Sequence, residues 1–400
     1  MKILHVIPAI AARYGGPSTA VVQMCSALAA VGAEVHLAAT DADGRGRLPY
    51  PTGEWTTIED IPTILFRRQF SEALKYSAPL AAWLQKSVSQ YDVVHVHALL
   101  SHACLAAAAA CRANHVPYVV RPLGTLDRWS LAQKPWRKRV LLALNGRKAL
   151  AEATGVHYTA LGEQRLVESA FETKRGFVVP LGIDDSILAE EPVPALERDR
   201  GLYVLVLSRL HPVKALDALI DAFGDAYPLA RKWRLVIAGD GDEGYVRKLK
   251  VRAAASAGAT GIEFRGWVDG DEKRELLRRA ALYALPSHHE NFGVSLAEAL
   301  ARGVPAIVSS HVLISDDLAA ANAAWVTPND RASLATTLLQ AMTNGAAREE
   351  KSVAARQFSR DLAWPRVASR LLDVYASLLT EATAPRLHAP LAAPSATRGL

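Results

Sequence analysis

Leu282-Tyr283-Ala284-Leu285-Pro286-Ser287-His288-His289-Glu290-Asn291-Phe292-Gly293-Val294-Ser295-Leu296-Ala297-Glu298-Ala299-Leu300-Ala301-Arg302-Gly303-Val304-Pro305-Ala306-Ile307-Val308-Ser309 reads as a strand, a loop, a helix and a second strand. Leu282–Leu285 and Ala306–Ser309 are apolar runs of strand type, and the span from about Val294 to Arg302 reads as the helix between them. Gly303 and Pro305 end that helix, glycine by tolerating a left-handed turn and proline by lacking an N–H. Strands joined through a helix lie parallel, so the segment asks for an open α/β sheet.

The alternation extends outward from there. Upstream come a strand at Tyr203–Ser208, a helix at Ala215–Phe223 and a strand at Arg234–Ala238 that ends in Gly239-Asp240-Gly241. A helix (Tyr245–Ala257), a strand (Glu263–Arg265) and a helix (Asp271–Ala280) follow. Glu190–Arg200, rich in proline and charge and without period, reads as a linker. Before it lies an earlier series of the same kind. It has strands at Lys2–Pro8, Glu34–Thr40, Thr63–Arg67, Asp92–His97, Pro117–Arg121 and Phe177–Asp184, with helices at about Ser18–Val31 and Ser71–Val88. The expected fold is therefore α/β, with two doubly wound Rossmann-like domains facing a central cleft. The expected bounds are 1–182 for the first domain, 183–200 for the linker and 201–363 for the second domain. A closing helix at 364–382 and a disordered Ala/Pro-rich tail at 383–400 complete the chain.

Composition supports this and excludes other classes. The 400 residues exceed one ordinary core, and half of them are hydrophobic with 22% charged, as in globular proteins. Three cysteines (Cys25, Cys104, Cys111) in Ala/Leu-rich stretches are too few and too helical for a disulfide framework. Leu99–Cys111, the most apolar stretch, is too short to span a bilayer, and Met1–Ile7 runs directly into a strand pattern rather than a signal sequence. The expected location is cytoplasmic. A net charge of +6 suits phosphates or anionic lipid. Nucleic acid is not expected, because no recognition motif or zinc spacing is present.

Chemistry concentrates at the carboxyl ends of the strands, where open parallel sheets bind ligands. Glu290 follows a strand directly, and Asn291, Phe292, Gly293 and Val294 open the next helix, whose unpaired N–H groups and dipole favour a diphosphate. Glu298 lies more than a turn further on, so two carboxylates can grip hydroxyls at the two ends of one ligand. Arg209 and Lys214, five apart after the Tyr203–Ser208 strand, can clamp a pyrophosphate, Arg as a fork and Lys as a point charge. A capped surface helix and a charged turn are the plainer accounts of these two segments; the strand–loop–helix setting favours the ligand. Gly15-Gly16 opens the helix after the first strand and permits close approach to phosphate or sugar. His97 ends the Asp92–His97 strand, with His95 on the same side, and Arg121 ends the next strand and can face the same cleft. Asp41-Ala42-Asp43, Asp240-Gly241-Asp242 and Asp269-Gly270-Asp271 have the form of metal-holding pairs, but all sit beside glycine in turns, where Asp is favoured anyway. No metal is expected.

The Pro286–Pro305 segment resembles the Glu-x7-Glu motif of retaining GT-B glycosyltransferases, glycosyltransferase family 4, and the likeness runs from Gly15-Gly16 to Trp364. It implies that Glu290 holds the donor sugar, the following amides the diphosphate, and Glu298 the nucleotide ribose. By the same resemblance Arg209 and Lys214 stabilise the departing nucleoside diphosphate. His97 then lies near donor sugar and acceptor, and Arg121 on the acceptor side. Arg265-Gly266-Trp267-Val268 is similar to the family's base-reading segment, and Gly239 joins the donor-facing set. The chain departs from many relatives at His311–Leu318, where they carry a glycine pair and Pro-Glu.

The implied activity is metal-independent hexosyl transfer with retention, from a UDP- or GDP-hexose to a saccharide or lipid-linked saccharide. Bacterial polysaccharide biosynthesis is the implied setting, and no cofactor is required. The segment 134–148 carries an apolar stripe (Trp136, Val140, Leu144) among basic residues, which either packs on its own domain or docks on anionic lipid. A nucleotide-sugar epimerase or a phosphorylase on the same plan remains as an alternative, as does a non-catalytic nucleotide-binding scaffold. Acceptor-free turnover would mark the first and a demand for inorganic phosphate the second.

Overall fold

The computed structural model describes residues 1–383 except Ser71, 128–129, 132–134 and 195–200. The tail at 384–400 and the second part of the linker lie outside the described residues.

The first sheet is built from β1 (Lys2–Ala9), β2 (Glu34–Thr40), β5 (Trp55–Ile58), β6 (Ile61–Phe66), β7 (Val93–His97), β8 (Tyr118–Arg121), β9 (Gly155–Tyr158) and β10 (Gly176–Val178). A small hairpin, β3 (Ala42–Asp43) with β4 (Gly46–Arg47), stands apart from it. The second sheet contains β11 (Tyr203–Leu207), β12 (Arg234–Ala238), β13 (Ile262–Gly266), β14 (Leu282–Leu285), β15 (Ala306–Ser309) and β16 (Ala324–Thr327). The strand orders are β10-β9-β8-β7-β1-β2-β6-β5 and β13-β12-β11-β14-β15-β16. Both are doubly wound, and every pair within them is parallel except β5–β6.

Helices cover both faces, so β7, β8, β9, β11, β14 and β15 are buried at every position; β11 and β14 are apolar runs, whereas β7, β8 and β9 bury His95, His97, Arg121 and His157. The one antiparallel strand, β5, is an edge strand absent from the sequence-based expectation, and its burial alternates with exposed Trp55 and Thr57.

Two other expectations are corrected. The helix expected at Ser71–Val88 begins only at Ala78, because Ser77 caps it through the Leu80 N–H at 3.3 Å and Pro79 sets its first turn. The linker contains a helix, Asp185–Ala189, capped by Asp184. Beyond it, Glu190 is pinned by Arg274 and Arg302 at 2.9 Å each.

The chain crosses between the sheets at two adjacent points. Ile183 pairs with Ala363, with its N–H donating to Leu362 O at 2.7 Å and its carbonyl accepting from Trp364 N at 3.3 Å. The Trp364 ring lies where any side chain at Gly182 would begin, so glycine is required there. From this crossing the Trp364–Thr383 helix returns to the first domain, packs on the Gly16–Ala30 helix and buries Tyr375 completely.

Candidate active site

Each sheet has one point where strand order reverses, between β1 and β7 and between β11 and β14. A crevice opens at such a point beyond the carboxyl ends. The loops there contain Gly15-Gly16, His97, Arg209, Lys214 and Glu290, so topology brings sequence-distant candidates to two facing crevices.

In the second crevice the loops after β11 and β14 are tied together. The His288 N–H donates to Val213 O at 2.8 Å, and the Lys214 ammonium pairs directly with the Glu290 carboxylate. Lys214 and Glu290 retain 15% and 20% side-chain exposure, which leaves the pair reachable yet partly shielded from water. His211 caps the turn bearing Lys214 by accepting from the Val213 N–H. Burial lowers the His211 pKa first, and Arg209 and Lys214 lower it further, which places both cations around one point. Arg209 is exposed and has no ion-pair partner among the described residues.

Glu290 is held by its backbone, bridged to Val312 and accepting from the Leu313 N–H at 2.9 Å. The helix starts at Val294, where the sequence places it, with Gly293 at φ 81° as its N-cap, while Phe292 is buried and anchors the loop. Tyr283 and Ser295 both donate to Leu207 O, at 3.1 and 2.9 Å, and so lock the helix entrance onto β11. Glu298 pairs with Lys273 at 2.8 Å, a partner the sequence reading missed. Gly239 (φ 135°) sits against the Ser208 carbonyl, with no room for a Cβ. Val268 is buried beside exposed Trp267.

The two domains meet over this site. A Cβ on Gly16 would lie 3.4 Å from Val294, and one on Gly124 would lie 3.3 Å from Asn291. The Asn291 amide donates to Thr159 Oγ1 at 2.8 Å, His289 pairs with Asp127 at 3.1 Å, and Arg165 with Asp316 at 2.7 Å. Thr159, Asp127 and Arg165 carry no sequence signal, being isolated polar residues in loops or, for Arg165, within the Leu161–Glu168 helix.

His97 is fully buried, its Nε2 2.8 Å from His5 Nδ1. His95 lies on the same face, 2.7 Å from the Tyr375 hydroxyl and 3.4 Å from His157. His157 Nε2 donates to Val179 O at 2.8 Å, so its Nδ1 accepts from His95 Nε2, and His95 Nδ1 accepts from Tyr375. Burial is the main reason that all four histidines are held neutral, with His5 and His157 lowered to about 3. Arg121, opposite His97 in the β7–β8 ladder, is also fully buried.

Among the described residues the only set of ligand atoms close enough for a metal ion is His5, His95 and His97. Arg121 beside them adds a positive charge that a bound cation would have to overcome. The Asp-x-Asp sequences have structural duties: Asp41 accepts from the Arg68 N–H and Asp242 caps the Glu243–Ala254 helix.

Residues 14–187 match the family profile Glycosyltransferase Family 4, and residues 189–358 match Glycosyl transferases group 1. The chain belongs to glycosyltransferase family 4. This glycosyltransferase is 27% identical to a phosphatidyl-myo-inositol mannosyltransferase of Mycobacterium leprae, over 92% of its own length and 94% of that relative. It is 26% identical to a D-inositol 3-phosphate glycosyltransferase of Xylanimonas cellulosilytica, covering 90% and 91%. Its fold matches Anabaena HepE in complex with UDP at a TM-score of 0.73 and 19% identity, over 94% of this chain and 100% of that one. A sucrose-phosphate synthase from Thermosynechococcus elongatus matches at 0.72 and 18%, over 95% and 99%. The glycosyltransferase therefore has the GT-B fold.

Away from the cleft, the Pro135–Leu141 helix continues through a wide turn at Leu142–Gly146. Trp136, Val140 and Leu144 are 69%, 48% and 75% exposed, so the stripe faces outward instead of packing on its own domain. No acidic residue occurs from 128 to 151. No described helix is long and apolar enough to cross a membrane.

Proposed function

We propose that this glycosyltransferase moves a hexose from a nucleoside-diphosphate sugar to a saccharide or lipid-linked saccharide, with retention of configuration and without a metal ion. The observation that carries the reading is the Lys214–Glu290 pair at the β11/β14 reversal, beside the entrance of the Val294–Ala301 helix. A donor diphosphate placed there meets Lys214, Arg209 and the helix's first amides, while Glu290 and Glu298 are positioned for hydroxyls of the sugar and ribose.

In the proposed reaction the bond from the anomeric carbon to the phosphate oxygen breaks, its electron pair leaving with the phosphate. The oxocarbenium-like centre is attacked by an acceptor hydroxyl on the same face, and that proton passes to the departing phosphate oxygen. Lys214 and Arg209 stabilise the negative charge that develops, the kind of contribution that dominates many catalysed reactions. Gly15-Gly16 lines the opposite side, with His97 fully buried at the end of β7, and Val268 and Gly239 line the base end. Two fixed cations do the work a divalent metal would do, which makes the metal redundant.

The crystallised fold neighbour bound to UDP supports trying uridine donors first. The outward Trp136–Leu144 stripe with its basic surroundings supports docking on anionic headgroups at a membrane's inner face, as assembly of a bacterial polysaccharide on a lipid carrier would need. The test is a melting-temperature panel with UDP, GDP and ADP and their common sugars, because a ligand selective for the native state must raise its stability. No shift with any of them rejects the donor site.

A further inference from the structure

Arg121 is the outstanding unexplained group in the fold. It is 0% exposed, and none of its Nε, Nη1 and Nη2 atoms has a hydrogen-bond partner among the described residues. Burial lowers its pKa to about 10, with Glu163 and Tyr375 opposing that, so it is charged at neutral pH. Glu163 does not bond to it; that carboxylate accepts from Gly124 N, Thr159 N and Thr159 Oγ1. A buried guanidinium with no acceptor is among the costliest arrangements a fold can hold.

The neighbouring histidines are incomplete in the same place. His97 Nδ1 and His5 Nε2 also lack partners, although their other nitrogens bond to each other. One proton lies between the two rings. A neutral pair therefore always offers one free N–H and one free lone pair. Together with the guanidinium fork this is a set of donors plus a single acceptor: His97 and Arg121 end β7 and β8, and His5 bonds to His97 from the neighbouring strand β1. A carboxylate, with two oxygens and no proton, cannot use them all. A phosphate can, accepting from Arg121 through two oxygens, taking the imidazole N–H, and returning a P–OH to the lone pair.

The donor's diphosphate already has its cations in the second domain. Arg121 lies across the cleft in the first, and its following loop carries Gly124 and Asp127, which meet Asn291 and His289 where the domains touch. We infer that Arg121, with His97 and His5, forms a subsite for a phosphate group on the acceptor, filled while the domains are apart and enclosed when they close. The subsite rests on the two-substrate reading above and narrows its acceptor to a phosphorylated one. The phosphate is a monoester on a sugar or polyol, which keeps a third free oxygen and can carry a P–OH; a diester, with two free oxygens and no proton, fails as a carboxylate does.

The experiment measures melting temperature with inorganic phosphate, dimethyl phosphate or acetate, in the presence of a saturating nucleoside diphosphate. Wild type, Arg121→Met, Arg121→Lys and Lys214→Ala are compared. Wild type is expected to be stabilised by inorganic phosphate and not by dimethyl phosphate or acetate, neither of which carries a proton or a third free oxygen. Arg121→Met should weaken that response at least about tenfold, the scale of a lost charge-assisted bond, while keeping its nucleotide shift. Arg121→Lys, a charge without the fork, should fall between them, and Lys214→Ala should respond as wild type does. The subsite is rejected by a wild type that ignores inorganic phosphate, by an equal response to dimethyl phosphate or acetate, by an unchanged response in the Arg121 variants, or by a response lost with Lys214. A wild type that binds no nucleotide would sink the donor reading and leave the phosphate comparison intact.

Discussion

Tyr375, near the end of the chain, donates its hydroxyl to His95 Nδ1 at 2.7 Å, inside the first sheet and 280 residues away in sequence. Both groups are fully buried. The bond is the last link of a relay that begins at the Val179 carbonyl and passes through His157, so removing it orphans a histidine nitrogen rather than a surface group.

Tyr375→Phe should therefore cost about 1–3 kcal/mol, the desolvation cost of a buried group left unpaired, although only one oxygen is lost. Urea unfolding monitored by fluorescence would read it. A variant as stable as wild type would mean that the relay contributes nothing to the fold.

The same cluster sets an acid limit. His5, His95, His97 and His157 face one another, Arg121 and Tyr375, and burial holds each neutral in the fold, whereas an unfolded histidine titrates near 6.5. Above that pH both states are neutral and stability is flat. Below it the unfolded chain takes up protons that the native state refuses, so stability falls by up to about 1.4 kcal/mol per pH unit for each histidine. The fall continues until the folded groups themselves protonate, at about 3 for His5 and His157. Denaturation midpoints at pH 7, 6 and 5 should decline with steepening slope; a level series would contradict the buried-neutral assignment.

At the cleft, Lys214→Ala and Glu290→Ala should each lower kcat by about a hundredfold or more, since one lost stabilising donor costs ~3–4 kcal/mol. Lys214→Arg should recover only part, because a fork cannot occupy the position of a point charge. Near-normal turnover in purified Lys214→Ala would remove it from the reaction.

On the outer surface, Trp136→Ser with Leu144→Ser should leave the melting temperature within a degree or so, both side chains being mostly in water already. Sedimentation with vesicles containing phosphatidylglycerol should weaken by roughly tenfold or more, given about 1.5–3 kcal/mol for each large apolar side chain buried. Binding equal to wild type would assign the stripe another purpose.

Much of the architecture is legible in the residues because strands covered on both faces are mostly apolar, and Tyr203–Leu207 and Leu282–Leu285 announce themselves. Edge strand β5 does not, since half of it faces water and its pattern is shared with loops. In the site, Glu290 and Lys214 are readable as separate candidates, but their pairing across 76 residues is a product of strand order alone. Lys273, the partner of Glu298, is one of several cations on a strongly charged helix, and nothing local distinguishes it. His5 and His157 each look like a stray polar residue in an apolar strand; only the register of β1, β7, β8 and β9 assembles them.

The Trp364–Thr383 helix belongs to one half of the molecule by order of synthesis and to the other by packing. The first domain therefore cannot finish burying its own sheet until the last helix has left the ribosome. Severing the chain near the Ile183–Ala363 crossing would not yield two self-sufficient halves. It would yield a leading fragment with an uncovered apolar face and a trailing one carrying the missing lid, so the two should rescue each other when mixed.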